Sequence, residues 1–172
     1  ESLMPYRPAG SAELLFAACA GSIFDVSSIG SATAVQTGLS SNRWQQTNFT
    51  PALGLNYLYI VNGSDAPRYF DNTAWTQPSL TGGPTPSTLI NIAVHKRRLW
   101  FVQANTTIAW YLGTDAISGA FAGSLDIGAF LTKGGYLNAI GTISLDGGNG
   151  PDDILALISS RGEMVLFKGT DP

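Results

Sequence analysis

Short runs of alternating apolar and polar residues, each ended by a polar or glycine-containing turn, predict that this chain is built from β-hairpins. Turn sequences such as Asn62-Gly63 and Gly21-Ser22 join antiparallel strands well, because they adopt positive φ at low steric cost. Four hairpins of this plan are predicted, over residues 14–28, 55–75, 98–116 and 154–172. In each, an apolar strand is followed by a turn and a second strand.

The hairpins recur at a spacing typical of a repeat protein. Leu14, Tyr57 and Leu99 occupy equivalent positions 43 and 42 residues apart, and the next equivalent, Leu155, follows after 56. A four-stranded propeller blade needs about 40 to 45 residues. Strand-like stretches at residues 88–94 and 136–145 would complete such units. We therefore predict an all-β fold, a β-propeller-like array of repeated antiparallel hairpins or blades within a larger propeller, with a β-sandwich as the alternative.

The whole chain, residues 1–172, is expected to form a single all-β repeat region. Its approximate blades are residues 1–43, 44–88, 89–135 and 136–172. The third contains an insertion at residues 119–135, rich in Gly, Ala and Phe, which is interpreted as a contact arm or a cap over its own blade. Because the chain opens on Glu1 and stops at Pro172 directly after a strand pattern, we expect a fragment of a longer polypeptide.

The composition supports the all-β prediction and reduces the number of function classes that the chain could belong to. Charged residues make up 12% of the chain and the net charge is -3, so neither exposed helix faces nor bulk attraction to nucleic acid is favoured. No apolar run approaches about 18 residues, so no membrane span is expected. The single cysteine, Cys19, excludes an internal disulfide framework, and its apolar surroundings predict a buried thiol.

One dense positive patch interrupts this weakly charged sequence. Lys96, Arg97 and Arg98 follow His95 and precede an apolar strand. These three cations are candidate contacts to a DNA backbone, and the alternative is a charged turn that solubilises the entrance to a strand. His95 has no partner nucleophile or acid in its sequence context, so no catalytic residue is predicted, and the chain is not expected to be an enzyme.

The loop at residues 145–153 is the most oxygen-rich segment. Asp146, Asn149, Asp152 and Asp153 are candidate ligands of a Ca²⁺-type site, since Ca²⁺ takes six to eight oxygen ligands. The spacing does not fit an EF-hand, and a solvated Gly/Asp turn is the alternative. No metal or cofactor is required by the sequence.

Aromatic residues cluster along the predicted strands. Pairs such as Tyr57/Tyr59 and Trp110/Tyr111 could form a surface on which sugar rings stack, or they could alternate between the core and the interfaces of neighbouring blades. No pair of carboxylates stands out as the acid and nucleophile of a glycosidase. A carbohydrate- or receptor-binding β-propeller module is therefore an alternative function.

The segment YLYIVNGSDAPRYFDNTAW at residues 57–75 resembles a unit of virion proteins from tailed bacteriophages and prophages. In that unit a strand and a polar Gly turn precede a strand with a Tyr-Asp-Gly/Asn-Thr-x-Trp pattern. Residues 95–115 and 145–172 are similar to the same group, so the resemblance covers roughly residues 55–172. In that group, propellers of this kind build tail-tube, nozzle or head-to-tail joining rings, in which several copies surround the genome channel.

The resemblance implies a non-enzymatic structural protein of the virion tail or neck, assembled in the bacterial cytoplasm. The implied partners are other virion proteins, such as tail or portal/adaptor subunits, and further copies of the chain in a homo-oligomeric ring. Packaged DNA would be contacted non-specifically, through Lys96, Arg97 and Arg98. A surface of low charge suits permanent burial against neighbouring subunits.

Overall fold

Antiparallel strands dominate this computed structural model, which describes residues 1–146 and 151–169. The described residues form sixteen strands in four sheets, and the all-β prediction is confirmed. Sheet I contains β1 (Ser2–Tyr6), β2 (Leu14–Cys19), β3 (Ser22–Asp25) and β4 (Ala34–Gln36). Sheet II contains β5 (Gln45–Phe49), β6 (Tyr57–Val61), β7 (Arg68–Phe70) and β8 (Trp75–Thr76).

The other two sheets follow the same plan. Sheet III contains β9 (Leu80–Thr81), β10 (Leu89–His95), β11 (Arg98–Gln103), β12 (Ile108–Leu112) and β13 (Gly119–Asp126). Sheet IV contains β14 (Leu137–Asp146), β15 (Pro151–Ser159) and β16 (Met164–Phe167). Strands that are consecutive in sequence are antiparallel neighbours in sheets I, II and IV and over β10 to β13 of sheet III. Strand β9 pairs in parallel with the outer edge of β13 and does not contact β10 as a sheet neighbour.

The predicted hairpins are present as β2–β3, β6–β7, β11–β12 and β15–β16. The segment at residues 119–135 differs from its expected role as an inserted arm or cap, because its first half is β13, which pairs with β12 along the sheet. The glycine and alanine residues of this segment obscure the alternating apolar and polar pattern by which a strand is predicted. A Cβ atom at Gly123 would overlap the Tyr111 side chain, which lies across this position, so the strand tolerates only glycine there without a shift of the tyrosine.

The four sheets stack face to face, with a separate apolar core between each neighbouring pair. Strand β6 shows how the sequence achieves this, because it is apolar at every position and all five of its residues are buried. Leu58 and Ile60 face sheet I, whereas Tyr59 and Val61 face sheet III. Strand β11 works in the same way: Leu99 contributes to the core with sheet II and Trp100 to the core with sheet IV. Inner sheets with two buried faces require such continuous apolar runs.

Strands β1, β5, β10 and β14, each at one edge of its sheet, lie close together. Strand β5 contacts both β1 and β10, and β10 contacts β14, so the sheets come nearest to one another at these strands. The last strands, β4, β8 and β13, lie away from this line at the other side of their sheets. The described residues contain no helix with the length and hydropathy needed to cross a membrane.

The prediction that Cys19 is buried is wrong. Its side chain is exposed on the outward face of β2, because Phe16 and Ala18 at alternate positions point into the core with sheet II. Every residue of the run from 14 to 19 is apolar, so the sequence does not reveal which alternate set faces the core.

Candidate functional site

The basic patch lies at the tight turn between β10 and β11. His95 and Arg98 pair directly across the two strands, which leaves Lys96 and Arg97 as the two turn residues. Both have positive φ, 46° and 59° respectively. That pattern belongs to a type I′ hairpin turn, where Asn-Gly is the usual sequence. Positive φ costs a residue with a side chain roughly 1 kcal/mol, so two long cations are held here against their local preference.

The three basic side chains diverge from the turn. Arg97 forms a salt bridge with Asp115, in which Nε donates to Oδ1 at 3.1 Å and Nη2 donates to Oδ2. Lys96 Nζ donates to the carbonyl oxygen of Gly169. Arg98 lies over the ring of Tyr111, with 5.4 Å between its guanidinium carbon and the ring centroid. Because the Asp115 carboxylate offsets the positive charge of Arg97, a contact between Arg97 and a phosphate would be less favourable in free energy.

A cleft of about 130 Å³ opens beside the turn, between sheets III and IV. Two of the residues that line it are cations, Lys96 and Arg98, and two are aromatic, Trp100 and Phe167. Its lining consists of His95, Lys96, Arg98, Trp100, Thr114, Phe167 and Gly169. A space of this size holds a few water molecules or a small anion, and it is well below the volume of a drug-sized ligand pocket.

His95 forms the most deeply buried polar wall of this cleft, at 2% exposure. Its Nδ1 lies 3.4 Å from the hydroxyl of Thr142, while Nε2 has no hydrogen-bond partner. Burial lowers the pKa of His95 from its ordinary value, Lys96 lowers it further, and Asp153 opposes both effects. The imidazole is therefore neutral at pH 7.

The Thr142 hydroxyl has a structural role. It donates to the carbonyl oxygen of Val94 at 2.6 Å, which joins sheet IV to sheet III directly. Within the described residues, this hydroxyl is the hydrogen-bonding neighbour of His95. The arrangement fixes two sheets against each other, because the Thr142 hydroxyl proton is donated to the Val94 carbonyl oxygen while the same hydroxyl lies beside the imidazole.

The predicted Ca²⁺-type loop can be placed only in part. Asn149 and the side chains of Asp146 and Asp152 lie outside what the structure describes. Asp153 accepts a hydrogen bond from Ser144 Oγ at 2.7 Å. In the described part of the chain, no three His, Cys, Asp or Glu side chains come together as metal ligands do. The Ca²⁺ site stays a prediction.

The aromatic side chains considered for sugar stacking pack inside the molecule. Tyr59 and Phe101 meet edge to face across the core of sheets II and III, with ring centroids 5.6 Å apart. Trp110 donates from Nε1 to Gln103 Oε1 at 2.9 Å and packs against Phe121. The residues buried at 9% exposure or less include Tyr57, Tyr59, Phe70, Trp100, Phe101 and Tyr111. These rings fill the interfaces between sheets.

Two exposed apolar surfaces were not singled out from the sequence. One is the outward face of sheet IV, which includes Met164 and Leu166, and the other is the outward face of sheet I, which includes Leu3. The signal was present at residues 154–158, where the run ILALI is apolar at both alternating sets of positions, as in β6 and β11. A strand that is apolar on both faces belongs to a sheet that is covered on both faces.

Three comparisons with known proteins were made for this chain: no family model, no curated protein and no solved structure matches it.

Proposed function

We propose that this chain is a non-enzymatic structural module of a tailed-phage virion, with sheets I to IV as consecutive blades of a β-propeller. The module forms part of the tail or of the head-to-tail ring around the genome channel. The observation that carries the proposal is the succession of antiparallel meanders, each packed face to face on the next with its own apolar core. That succession is the structural plan of propeller blades.

The order of strands within the stack also supports a propeller. A blade runs from its innermost strand to its outermost strand, and neighbouring blades come closest at their inner strands. Strands β1, β5, β10 and β14 each form one edge of their sheet and lie next to one another in succession. The sheets span residues 2–36, 45–76, 80–126 and 137–167. In the blade model, β9 belongs to the third blade, although the sequence predicted a boundary after residue 88.

The virion role rests on the resemblance of residues 55–172 to tailed-phage proteins and on physical fitness for that role. A virion component is buried permanently against neighbouring subunits. Because only 12% of the residues in the chain are charged, such burial removes few charges from water and has a low desolvation cost. Independent cores between all neighbouring sheets make the module resistant to local opening, which suits a particle that withstands internal pressure.

Particle microscopy tests the virion role. Particles purified from the strain that encodes the chain are imaged by cryo-electron microscopy, and the four sheets are fitted into the reconstructed tail and neck. We expect ring-like density of matching shape around the channel. Particles that are complete, infectious and devoid of the chain by mass spectrometry would overturn the proposal.

In this ring the basic turn, defined as Lys96, Arg97 and Arg98, is proposed to contact the packaged DNA non-specifically. The Lys96 and Arg97 side chains are exposed at the turn, which lies at one end of the strands of sheet III. Because the Asp115 carboxylate offsets the charge of Arg97, we count about two phosphate contacts for the three cations together.

Charge-neutral variants test the DNA contact. The triple variant K96Q/R97Q/R98Q is compared with R43Q/K133Q/R161Q, which makes the same change in net charge at exposed positions in the turns and connections at the opposite end of the sheets. We expect the first variant to slow genome ejection and to lower the salt dependence of duplex DNA binding by about two phosphate contacts, a slope change of roughly 2. Identical ejection and identical slopes for both triple variants would refute the contact.

A further inference from the structure

We infer that the outward faces of sheets I and IV are a complementary docking pair, through which two copies of this chain bind head to tail. The inference deepens the proposed ring-forming role and rests on it for its biological setting, whereas its physical basis is the packing of the sheets themselves. The front face of a sheet is defined here as the face toward the next sheet in sequence, and the back face as the opposite one.

Each internal interface of the chain follows one rule, in which the front of one sheet packs on the back of the next. Strands β2, β6, β11 and β15, each second in the order of strands across its sheet, show this rule, because their alternate residues face opposite neighbouring sheets. The pairs of facing residues are Phe16 and Ala18 on Leu58 and Ile60, Tyr59 and Val61 on Leu99 and Phe101, and Trp100 and Val102 on Leu155 and Leu157. The rule leaves two faces uncovered: the back of sheet I and the front of sheet IV.

The front of sheet IV is apolar across its three strands. Leu166 is 56% exposed and Met164 is 57% exposed, while Leu155 and Leu157 on the opposite face are completely buried. Three successive rows of paired residues on this face have only apolar side chains, and the next pair in the register, Leu145 with Asp152, ends the apolar set. These rows are Ala139, Ile158 and Met164, then Gly141, Ala156 and Leu166, then Ile143 and Ile154. Ile143 and Ile158 on this face are also exposed, at 41% and 37%, whereas Ala156 and Ile154 between them are buried. Isolated monomers rarely expose several large apolar side chains on one face in this way.

The back of sheet I has the same character. Leu3 is 66% exposed and pairs with Ala17, which pairs in turn with the half-buried Phe24. Pro5 and Leu15 form the next apolar row.

A second copy is the occupant that satisfies the packing rule at both faces together. Sheets II and III separate the two faces within one copy, so the front of sheet IV meets the back of sheet I from another copy. Such an interface is heterologous, and it closes as a ring or continues as an open array. Two copies would close eight sheets, within the range of about four to eight blades that propellers use.

Molar mass in solution tests this inference. Light scattering after size exclusion is expected to give twice the chain mass of 18.1 kDa, or a larger multiple, in a concentration-dependent manner. Leu166→Glu on the front face and Leu3→Glu on the back face should each weaken association by at least about tenfold, because each buries a charge in an apolar contact. Leu53→Glu, at a loop position that is 92% exposed, is the control and should leave the mass unchanged.

Mixing the two variants distinguishes head-to-tail binding from other arrangements. The L166E protein keeps an intact back face and the L3E protein keeps an intact front face, so the mixture should form a one-to-one pair although neither protein associates alone. If only one of the two substitutions weakens association, the face with that substitution binds its own kind and the inference is wrong. A wild-type chain that stays a monomer at every concentration also overturns it.

Thiol labelling provides a readout that does not depend on the folding of the charged variants. Cys19 is exposed on the back face of sheet I and is the only cysteine of the chain. Its reaction with a maleimide should slow severalfold as the wild-type concentration rises, and the milder Met164→Gln variant should restore the fast rate. A labelling rate independent of concentration refutes the interface. A monomeric chain found in virions would defeat this inference alone, whereas a self-associating chain absent from virions would defeat only the virion role.

Discussion

Arg97 and Asp115 are joined twice, by their side chains and by their backbones. The Arg97 guanidinium donates to the Asp115 carboxylate, and the Asp115 backbone N–H donates to the Arg97 carbonyl at 2.8 Å. Asp115 Oδ1 also accepts from the backbone N–H of Ala52 at 3.1 Å, in the loop between β5 and β6. One carboxylate therefore ties two turns of sheet III to each other and to sheet II.

This arrangement predicts unequal effects of substitution at Asp115. Asp115→Asn keeps an oxygen for the Ala52 N–H and tolerates the positive φ of 59°, so it should cost only the exposed ion pair, about 0.5 kcal/mol. Asp115→Ala loses the acceptor as well and should cost about 1 to 2 kcal/mol more. The free energy of unfolding in urea measures both. Arg97→Gln should match Asp115→Asn, and equal costs for all three variants would contradict the role of Ala52.

The positive φ of Lys96 predicts that a better turn residue stabilises the fold. Lys96→Asn should raise the free energy of unfolding by about 0.5 to 1 kcal/mol, because asparagine adopts left-handed backbone more readily than lysine does. Lys133→Asn, at an exposed position outside the positive-φ residues, is the control and should give no gain. A loss of stability on Lys96→Asn would show that the contact of Lys96 Nζ with Gly169 outweighs the backbone strain.

Local sequence patterns were sufficient for the strands and hairpins but not for the environment of individual side chains. The Asn62-Gly63 turn and the apolar runs of β6 and β11 specify their hairpins through rules that act over a few residues. Cys19 could not be placed, because its strand is apolar on both faces and only the position of sheet II decides which face is covered.

For the candidate site too, the sequence predicted the position of the turn but not the contacts of its side chains. Consecutive cations marked the turn in the sequence, but the pairing of Arg97 with Asp115 joins residues of two different turns, 18 positions apart. Likewise, the burial of His95 depends on Thr142 and sheet IV, which pack on it from 47 residues away. Contacts of this kind arise from the stacking of sheets, which a one-dimensional pattern does not encode.

Gly63 predicts a large and specific cost of adding a single methyl group. It has a φ of 71°, and a Cβ atom there would lie 2.5 Å from Ile90 Cγ2 of the neighbouring sheet. Gly63→Ala should therefore lower the free energy of unfolding by about 2 to 4 kcal/mol, from backbone strain and overpacking combined. Gly54→Ala isolates the strain, because Gly54 has a φ of 80° with nothing within 4 Å of the added atom, and should cost about 1 kcal/mol.

A second substitution at Ile90 checks the assignment of the clash. Ile90→Ala removes the methyl group that the new Cβ would meet, so the double variant G63A/I90A should be more stable than the sum of the single effects predicts. The coupling energy follows from a double-mutant cycle of urea unfolding. Strict additivity would show that strain at Gly63, and not contact with Ile90, accounts for the cost.

Buried His95 predicts that the protein loses stability as the pH falls below neutrality. Its pKa is lowered from 6.5 by burial and by Lys96, with Asp153 opposing, so the unfolded chain takes up the proton first. At pH values about one unit or more above 6.5, the imidazole is neutral in both states and contributes no pH dependence. As the pH falls below that value, the free energy of unfolding decreases until the pH reaches the pKa of the folded state. Carboxylates with lowered pKa, such as Asp65 and Asp126, act in a separate and more acidic range.

Comparison with His95→Gln isolates this contribution. Glutamine retains a hydrogen-bonding side chain and has no proton to gain, so the slope of unfolding free energy against pH between about pH 7.5 and 5.5 should be positive in the wild type and near zero in the variant. Urea unfolding at several pH values in this interval provides the slopes. Equal slopes in the two proteins would mean that His95 is protonated as easily in the folded chain as in the unfolded one, and that Nε2 has a partner which compensates for its burial between sheets III and IV.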